Sequence, residues 1–178
     1  VLIGGWAVYL WTGGQKSKDI DIIVDLRTLS ELRKTFDVRK NDIMRKYEIK
    51  IDEIDIDIYV KYYSKLPVPI ENIETAKIEG FDVAKPEFLL ALKQFAEKGR
   101  RESEKGEKYR IDIINILLKC DINFKKYSSI LGKTRMEFLS RLLAITREFT
   151  EPDYFSMTLR QWKVAKREIT NKIKRSVA

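Results

Sequence analysis

The 178-residue chain predicts an α+β fold, a small mixed β-sheet core with flanking helices followed by a C-terminal helical bundle. Three observations predict it. Residues 1–85 alternate short apolar, strand-like runs with turn signals, whereas from Pro86 onward every periodic segment has helical spacing. Residues 47–51 and 54–60 are alternating runs separated only by Asp52-Glu53, a hairpin signal. An apolar content of 44% beside 35% charged residues supports a real core under a solvated surface. The division falls at 85/86, giving a sheet-based core over 1–85 and a helical region over 86–178.

Each element has its own signal. Residues 1–3 read as the end of a strand, broken by Gly4-Gly5; residues 6–11 read as one or two turns of helix, closed by the turn Thr12-Gly13-Gly14. The run Ile20-Asp21-Ile22-Ile23-Val24 is apolar enough for a central strand. Over 28–36, Leu29, Leu32 and Phe36 share a helical face, with Thr28 as the cap. In the second hairpin run, Ile54, Ile56 and Ile58 point one way, and Asp55, Asp57 and Tyr59 the other. Pro67 and Pro69 mark a loop, and Ile78 with residues 81–83 adds a short edge strand. Pro86 suits a first helical position and leads into the apolar run from Phe88 to Leu92. Residues 99–106 read as an exposed charged connection, and helices are predicted over 110–118, 136–149 and 159–173. In the last of these Leu159, Trp162, Ala165, Ile169 and Ile173 line one face.

Composition narrows the chemistry. The chain has no histidine, which removes Ser-His-Asp and Cys-His catalysis and the usual zinc sites. Catalysis must run on carboxylates, lysines, backbone amides and a hard metal such as Mg²⁺. The lone Cys120 lies in an apolar run and reads as a buried core residue, so no disulfide framework exists and a cytoplasmic setting is expected. No signal-peptide pattern is visible and no apolar run approaches bilayer length. Abundant Lys, Glu and Ile match the balance of heat-adapted proteins. The net charge of +8 is unevenly placed: residues 1–118 hold 21 basic and 21 acidic side chains, residues 119–178 hold 14 and 6. A basic back half suits a polyanion, RNA or a triphosphate.

Asp19-Ile20-Asp21 sets two carboxylates two residues apart at the head of a strand, which period-two geometry places on one face. Side by side they repel unless a cation lies between them. Mg²⁺ (or Mn²⁺) takes oxygen ligands and keeps positions for phosphate oxygens. A third strand carboxylate, Asp57 or Asp55, would complete a two-metal site, with Asp57 favoured because it lies deeper in its run. Gly4-Gly5 at a strand-to-helix junction presents bare amides at a helix N-terminus, an anion site suited to phosphate.

The segment LIGGWAVYLWTGGQKSKDIDIIVD resembles the signature of the polymerase-β-like nucleotidyltransferase superfamily: Gly-Gly, a spacer, then Asp-apolar-Asp entering a strand. Gly4, Gly5, Ala7, Asp19, Ile20 and Asp21 look most like the Gly-Gly-x-Ala branch, which includes small prokaryotic enzymes and abortive-infection toxins. VAKPEFLLALK is similar to that branch's first helix after the sheet, and EKYRIDIINIL to the next, commonly Lys-Asp-x-x-Asp, with Lys108 and Asp112 retained. Gln15 and Ser17 stand where relatives often carry Arg and Thr, and Tyr109 replaces an Asp. The resemblance implies that Gly4, Gly5 and Ser17 contact the triphosphate of an NTP. It also implies that Asp19 and Asp21 hold metal, that the third carboxylate activates an acceptor hydroxyl, and that Lys108 reaches a phosphate. The acceptor would be RNA, a protein or a small molecule, and a toxin of this kind would have an antitoxin partner. The departures motivate an alternative: an inactive relative that binds NTP or RNA.

Overall fold

In the computed structural model, which describes residues 1–177, the chain opens with β1 (Leu2–Ile3), α1 (Gly4–Thr12), β2 (Ile20–Val24) and α2 (Leu26–Thr35). It continues through β3 (Arg39–Asn41), β4 (Lys46–Ile51), β5 (Ile54–Val60), β6 (Thr75–Ile78) and β7 (Phe81–Ala84). Helices α3 (Pro86–Lys98), α4 (Glu104–Lys119), α5 (Phe124–Leu131), α6 (Arg135–Glu148) and α7 (Leu159–Val177) follow. The strands form one mixed sheet in the order β3-β4-β5-β2-β1-β7-β6. The β2–β5 and β1–β7 pairs are parallel and the others antiparallel. The fold is α+β, as the sequence predicts.

The two faces of the sheet have different covers, and alternation along the strands decides which side chain meets which. Ile22, Ile56, Ile58, Val60, Tyr47 and Ile49 pack with Leu29 and Leu32 of α2. On the other face Ile3 and Ile23 belong to a larger core, which also takes in Val83 and continues through α1, α3, α4, α5, α6 and α7. Fully burying one such aliphatic side chain is worth about 1.5–3 kcal/mol, so the register of β2 and β5 is strongly specified. Trp11 of α1 donates its Nε1–H to the Ala84 carbonyl at 2.9 Å and ties α1 to β7. Among the described residues no helix is long and apolar enough to cross a membrane.

Several elements differ from the sequence expectation. Helix α1 begins at Gly4, not after the Gly-Gly pair. The cap of α2 is Asp25, which accepts the Thr28 N–H at 2.6 Å, so Thr28 is the capped residue and not the cap. The expected single edge strand near 81–83 is a hairpin, β6–β7, turning on Glu79-Gly80 with positive φ at both residues. That is the conformation two-residue hairpin turns favour. Helix α4 starts within the expected connection, where Ser103 Oγ accepts the Gly106 N–H at 3.2 Å. Helix α5 was not expected at all; Asn123 caps it by accepting the Lys126 N–H at 3.1 Å, and Tyr127 and Leu131 bury its face. Along α7 Trp162, Ile169 and Ile173 are buried as expected, but Leu159, in the first turn, is 66% exposed. Cys120 is only half-buried, at the end of α4, where its thiol is pushed up to about 11 chiefly by burial.

Candidate active site

The pairing of β1, β2, β5 and β4 lines up a single row of residues across the sheet. Ile3 pairs with Asp21, Asp21 with Asp57, and Asp57 with Glu48. Register partners point to the same face, so Asp21 and Asp57 stand side by side on adjacent strands. The two candidates for the third carboxylate position are placed differently. Asp57 is the neighbour of Asp21, whereas Asp55 lies toward the hairpin end opposite Lys50, 4.0 Å from its ammonium and largely exposed.

Glycine at positions 4 and 5 is required by this arrangement. Gly4 has φ +69°, and a Cβ there would fall 2.6 Å from Asp21 Cγ and closer still to its Oδ2. A Cβ on Gly5 would fall 2.6 Å from Ser17 Cβ and 2.9 Å from its Oγ. The missing side chains therefore make room for Asp21 and Ser17 against the start of α1. That helix start has no side-chain cap, so its first N–H groups remain available to an anion.

A cavity of about 210 Å³ joins these parts. Gly5, Ser17, Asp19, Asp21, Asp57 and Lys108 all line it, together with Lys46, Lys93, Arg100, Lys105, Tyr59 and Tyr109. Gly4 lines an adjoining, more apolar cavity of about 460 Å³ that shares Asp21, Tyr59, Lys93 and Tyr109 and adds Leu66, Pro67 and Phe95. Asp19 precedes β2 and is exposed, so the period-two argument does not strictly apply to it, yet it reaches the same cavity as Asp21. Asp55 lines neither; it borders a separate groove of about 340 Å³ with Asp19 and Asp57. A roomier groove of about 560 Å³, bordered by α4 and α6, includes none of the expected site residues.

The sequence reading missed the cations that surround the carboxylates. Lys93 follows the apolar run Phe88–Leu92 of α3 and pairs with Asp112 of α4 at 2.7 Å, both side chains being under 10% exposed. Its ammonium lies over the Tyr109 ring, 5.4 Å from the centroid. Lys46 pairs with Asp57 at 2.6 Å and with Glu48 at 3.1 Å. Burial opposes its charge, but the two carboxylates outweigh burial and hold Lys46 above the usual lysine range. The Tyr59 hydroxyl reaches Asp21 Oδ1 at 3.5 Å, and burial keeps it protonated. A lone lysine in an apolar helical run, followed on the next helix by a lone buried aspartate, is the signal that could have found the Lys93–Asp112 pair. The two tryptophans of α1, Trp6 and Trp11, differ in their relation to the core. Trp11 packs against it, whereas Trp6 stacks edge-on to Tyr9, 5.6 Å between centroids, with Lys16 over both rings.

Burial is the main cause that raises the Asp21 carboxyl above the usual aspartate range; Lys93 opposes it, Asp57 adds to it, and Lys46 and Asp19 contribute less, in opposite senses. The folded state thus holds this proton more tightly than the unfolded chain. Asp21 favours folding most below its unfolded pKa, and that contribution is lost as pH rises through the raised folded value. At neutral pH the carboxylate is a net burden on stability. Asp21→Asn is accordingly expected to melt above the parent near neutral pH, with the gain shrinking as pH falls through the carboxylate range. Melting curves across that range check this, and an equal gain at all pH values would contradict it.

Of the cations that line the cavity, Lys46 is paired with Asp57 and Glu48 and Lys93 with Asp112, which leaves the exposed Arg100, Lys105 and Lys108 to meet an anion. No protein-family model matches the chain, and no curated protein does. Solved structures do. The crystal structure of an antigenic nucleotidyltransferase-like protein from Paracoccidioides brasiliensis superposes with TM-score 0.51 at 19% identity, over 88% of this chain and 82% of that one. JHP933 from Helicobacter pylori gives TM-score 0.53 at 20% identity, over 99% and 86%. A Helicobacter pylori structure provisionally named a nucleotidyltransferase gives 0.51 at 19%, over 98% and 88%. The chain has a nucleotidyltransferase-like fold. In that fold the first βα junction and the following strand bring Gly4, Gly5, Asp19 and Asp21 together with Asp57, about forty residues later in the sequence.

Proposed function

We propose that the chain transfers a nucleoside monophosphate from an NTP to an acceptor hydroxyl and releases pyrophosphate. The observation that carries this reading is the Asp21–Asp57 register pair, set against the uncapped start of α1 and ringed by cations. The α1 amides at Gly4-Gly5 and the Ser17 hydroxyl hold the triphosphate. Lys105 and Lys108, exposed at the rim, balance its charge. The acceptor oxygen attacks the α-phosphorus, the bond from that phosphorus to the bridging oxygen breaks, and pyrophosphate carries away the electron pair. The acceptor proton passes to a carboxylate, for which Asp57 is positioned.

The donor set, all carboxylate with no imidazole or thiolate, fits a hard divalent ion, Mg²⁺ or Mn²⁺, at Asp19 and Asp21, with Asp57 alongside. When bound, such an ion neutralises charge building on the phosphates. Among the described residues no three carboxylates close on one point. The exposed face of α7, with Arg160, Lys163, Arg167, Lys172, Lys174 and Arg175, supports an RNA acceptor, since phosphate contacts give sequence-independent affinity. Incubation with each of the four α-labelled NTPs, Mg²⁺ and bulk tRNA tests the reading. Label on RNA is expected with at least one nucleotide; label on protein in its place would move the acceptor assignment, and none on any acceptor would refute transfer.

A further inference from the structure

We infer that Lys46 is a built-in cation at the Asp57 side of the site, so that the chain binds a single divalent ion, at Asp19 and Asp21. The inference rests on the transfer reading above and specifies how its charges are supplied. Asp57 and Glu48 are register partners on β5 and β4. Like charges directly opposite one another destabilise a sheet unless a counter-charge intervenes. Lys46 lies two residues before Glu48 on the same strand and therefore on the same face. Its ammonium bridges the two carboxylates, at 2.6 Å from Asp57 Oδ2 and 3.1 Å from Glu48 Oε1.

The bridge is itself anchored. Asn41 of β3 donates its Nδ2–H to Glu48 at 2.9 Å, and the Lys46 side chain is only 13% exposed. A divalent ion on Asp57 would meet this ammonium at contact distance, and moving Lys46 aside would leave two adjacent carboxylates uncompensated. Lys93, the other well-buried ammonium of the cavity, is turned to Asp112 and leaves the Asp19–Asp21 pair open to a cation. One position thus carries its charge covalently on the chain, and the other takes an ion from solution.

Counting bound Mn²⁺ per chain by electron paramagnetic resonance tests this without any turnover. One ion is expected for the parent, one for Lys46→Arg and two for Lys46→Met. Two ions in the parent would overturn the inference by itself, whatever the fate of the variants, and would leave the transfer reading intact. One ion in a Lys46→Met protein with the parent's circular dichroism would also overturn it. No Mn²⁺ bound to the parent would remove both the inference and the metal-dependent part of the transfer reading.

Discussion

Lys93→Met is expected to lower stability by about 3–5 kcal/mol, the effect of removing one partner of a buried ion pair and leaving the other charge unpaired. For a chain of this length that lowers the melting midpoint by roughly 10 °C. The charge left behind is Asp112, under 10% exposed and previously held at 2.7 Å. The same substitution removes the main influence that opposes protonation of Asp21, so transfer should fall further than stability alone explains. A second change separates the two effects. Lys93→Met with Asp112→Leu replaces the pair by apolar groups and should restore most of the melting temperature, because well-packed apolar replacements of buried pairs are often neutral. It should not restore transfer. Recovery of both together would mean that Lys93 acts only through the α3–α4 packing.

Gly4→Ala is expected to lower transfer steeply and to destabilise, and Gly13→Ala supplies its control. Both glycines have positive φ, +69° and +66°. An added Cβ in that region strains the backbone by about 1–2 kcal/mol. At Gly13 nothing lies within 4 Å of the added atom, whereas at Gly4 it collides with the Asp21 side chain. Gly13→Ala should therefore show the strain alone with transfer preserved. Gly4→Ala should show the strain plus a displaced Asp21, with activity down by about 10²-fold or more, as misplacing a reacting group by an ångström does. Parallel melting curves and transfer rates for the two variants check this; equal activity in both would mean that the Asp21–Gly4 contact is incidental.

How much of this was legible in the sequence depends on how far apart the deciding residues lie. The Asp19–Asp21 pair and the Gly4-Gly5 junction are local patterns and could be read directly. Even so, the close approach of Asp21 to Gly4 and of Ser17 to Gly5 was not readable, since it depends on how β1 pairs with β2. Depth in the run favours Asp57 over Asp55, but what sets Asp57 beside Asp21 is the β2–β5 register, which periodicity does not specify. Lys93 escaped notice because it sits in an apolar helical run and its meaning comes from Asp112 on another helix and Asp21 on a strand. Lys46 likewise reads as one more surface lysine until β4 is laid against β5.

Secondary structure followed the same rule. The apolar periodicities of β2, β5, α3 and α4 are strong and were found. What differs from the expectation is announced only by one or two residues: Asn123 capping α5, Ser103 starting α4 early, and Glu79-Gly80 turning β6 into β7. Leu159 was assigned to the buried face of α7 from spacing alone, but it lies in the helix's first turn, where little packs over it. Periodicity reports which face of a helix is apolar and not how far the core extends along it.

The assignment of Asp19 and Asp21 as metal-holding carboxylates of a nucleotidyl-transfer site is tested by label transfer from α-labelled NTP by the parent and by the Asp19→Asn, Asp21→Asn double variant, at equal folded concentration. Transfer by the parent is expected, with a loss of at least roughly 10³-fold in the variant, the scale on which removing a catalytic unit acts. Transfer that survives the double substitution at the parent's rate would contradict it.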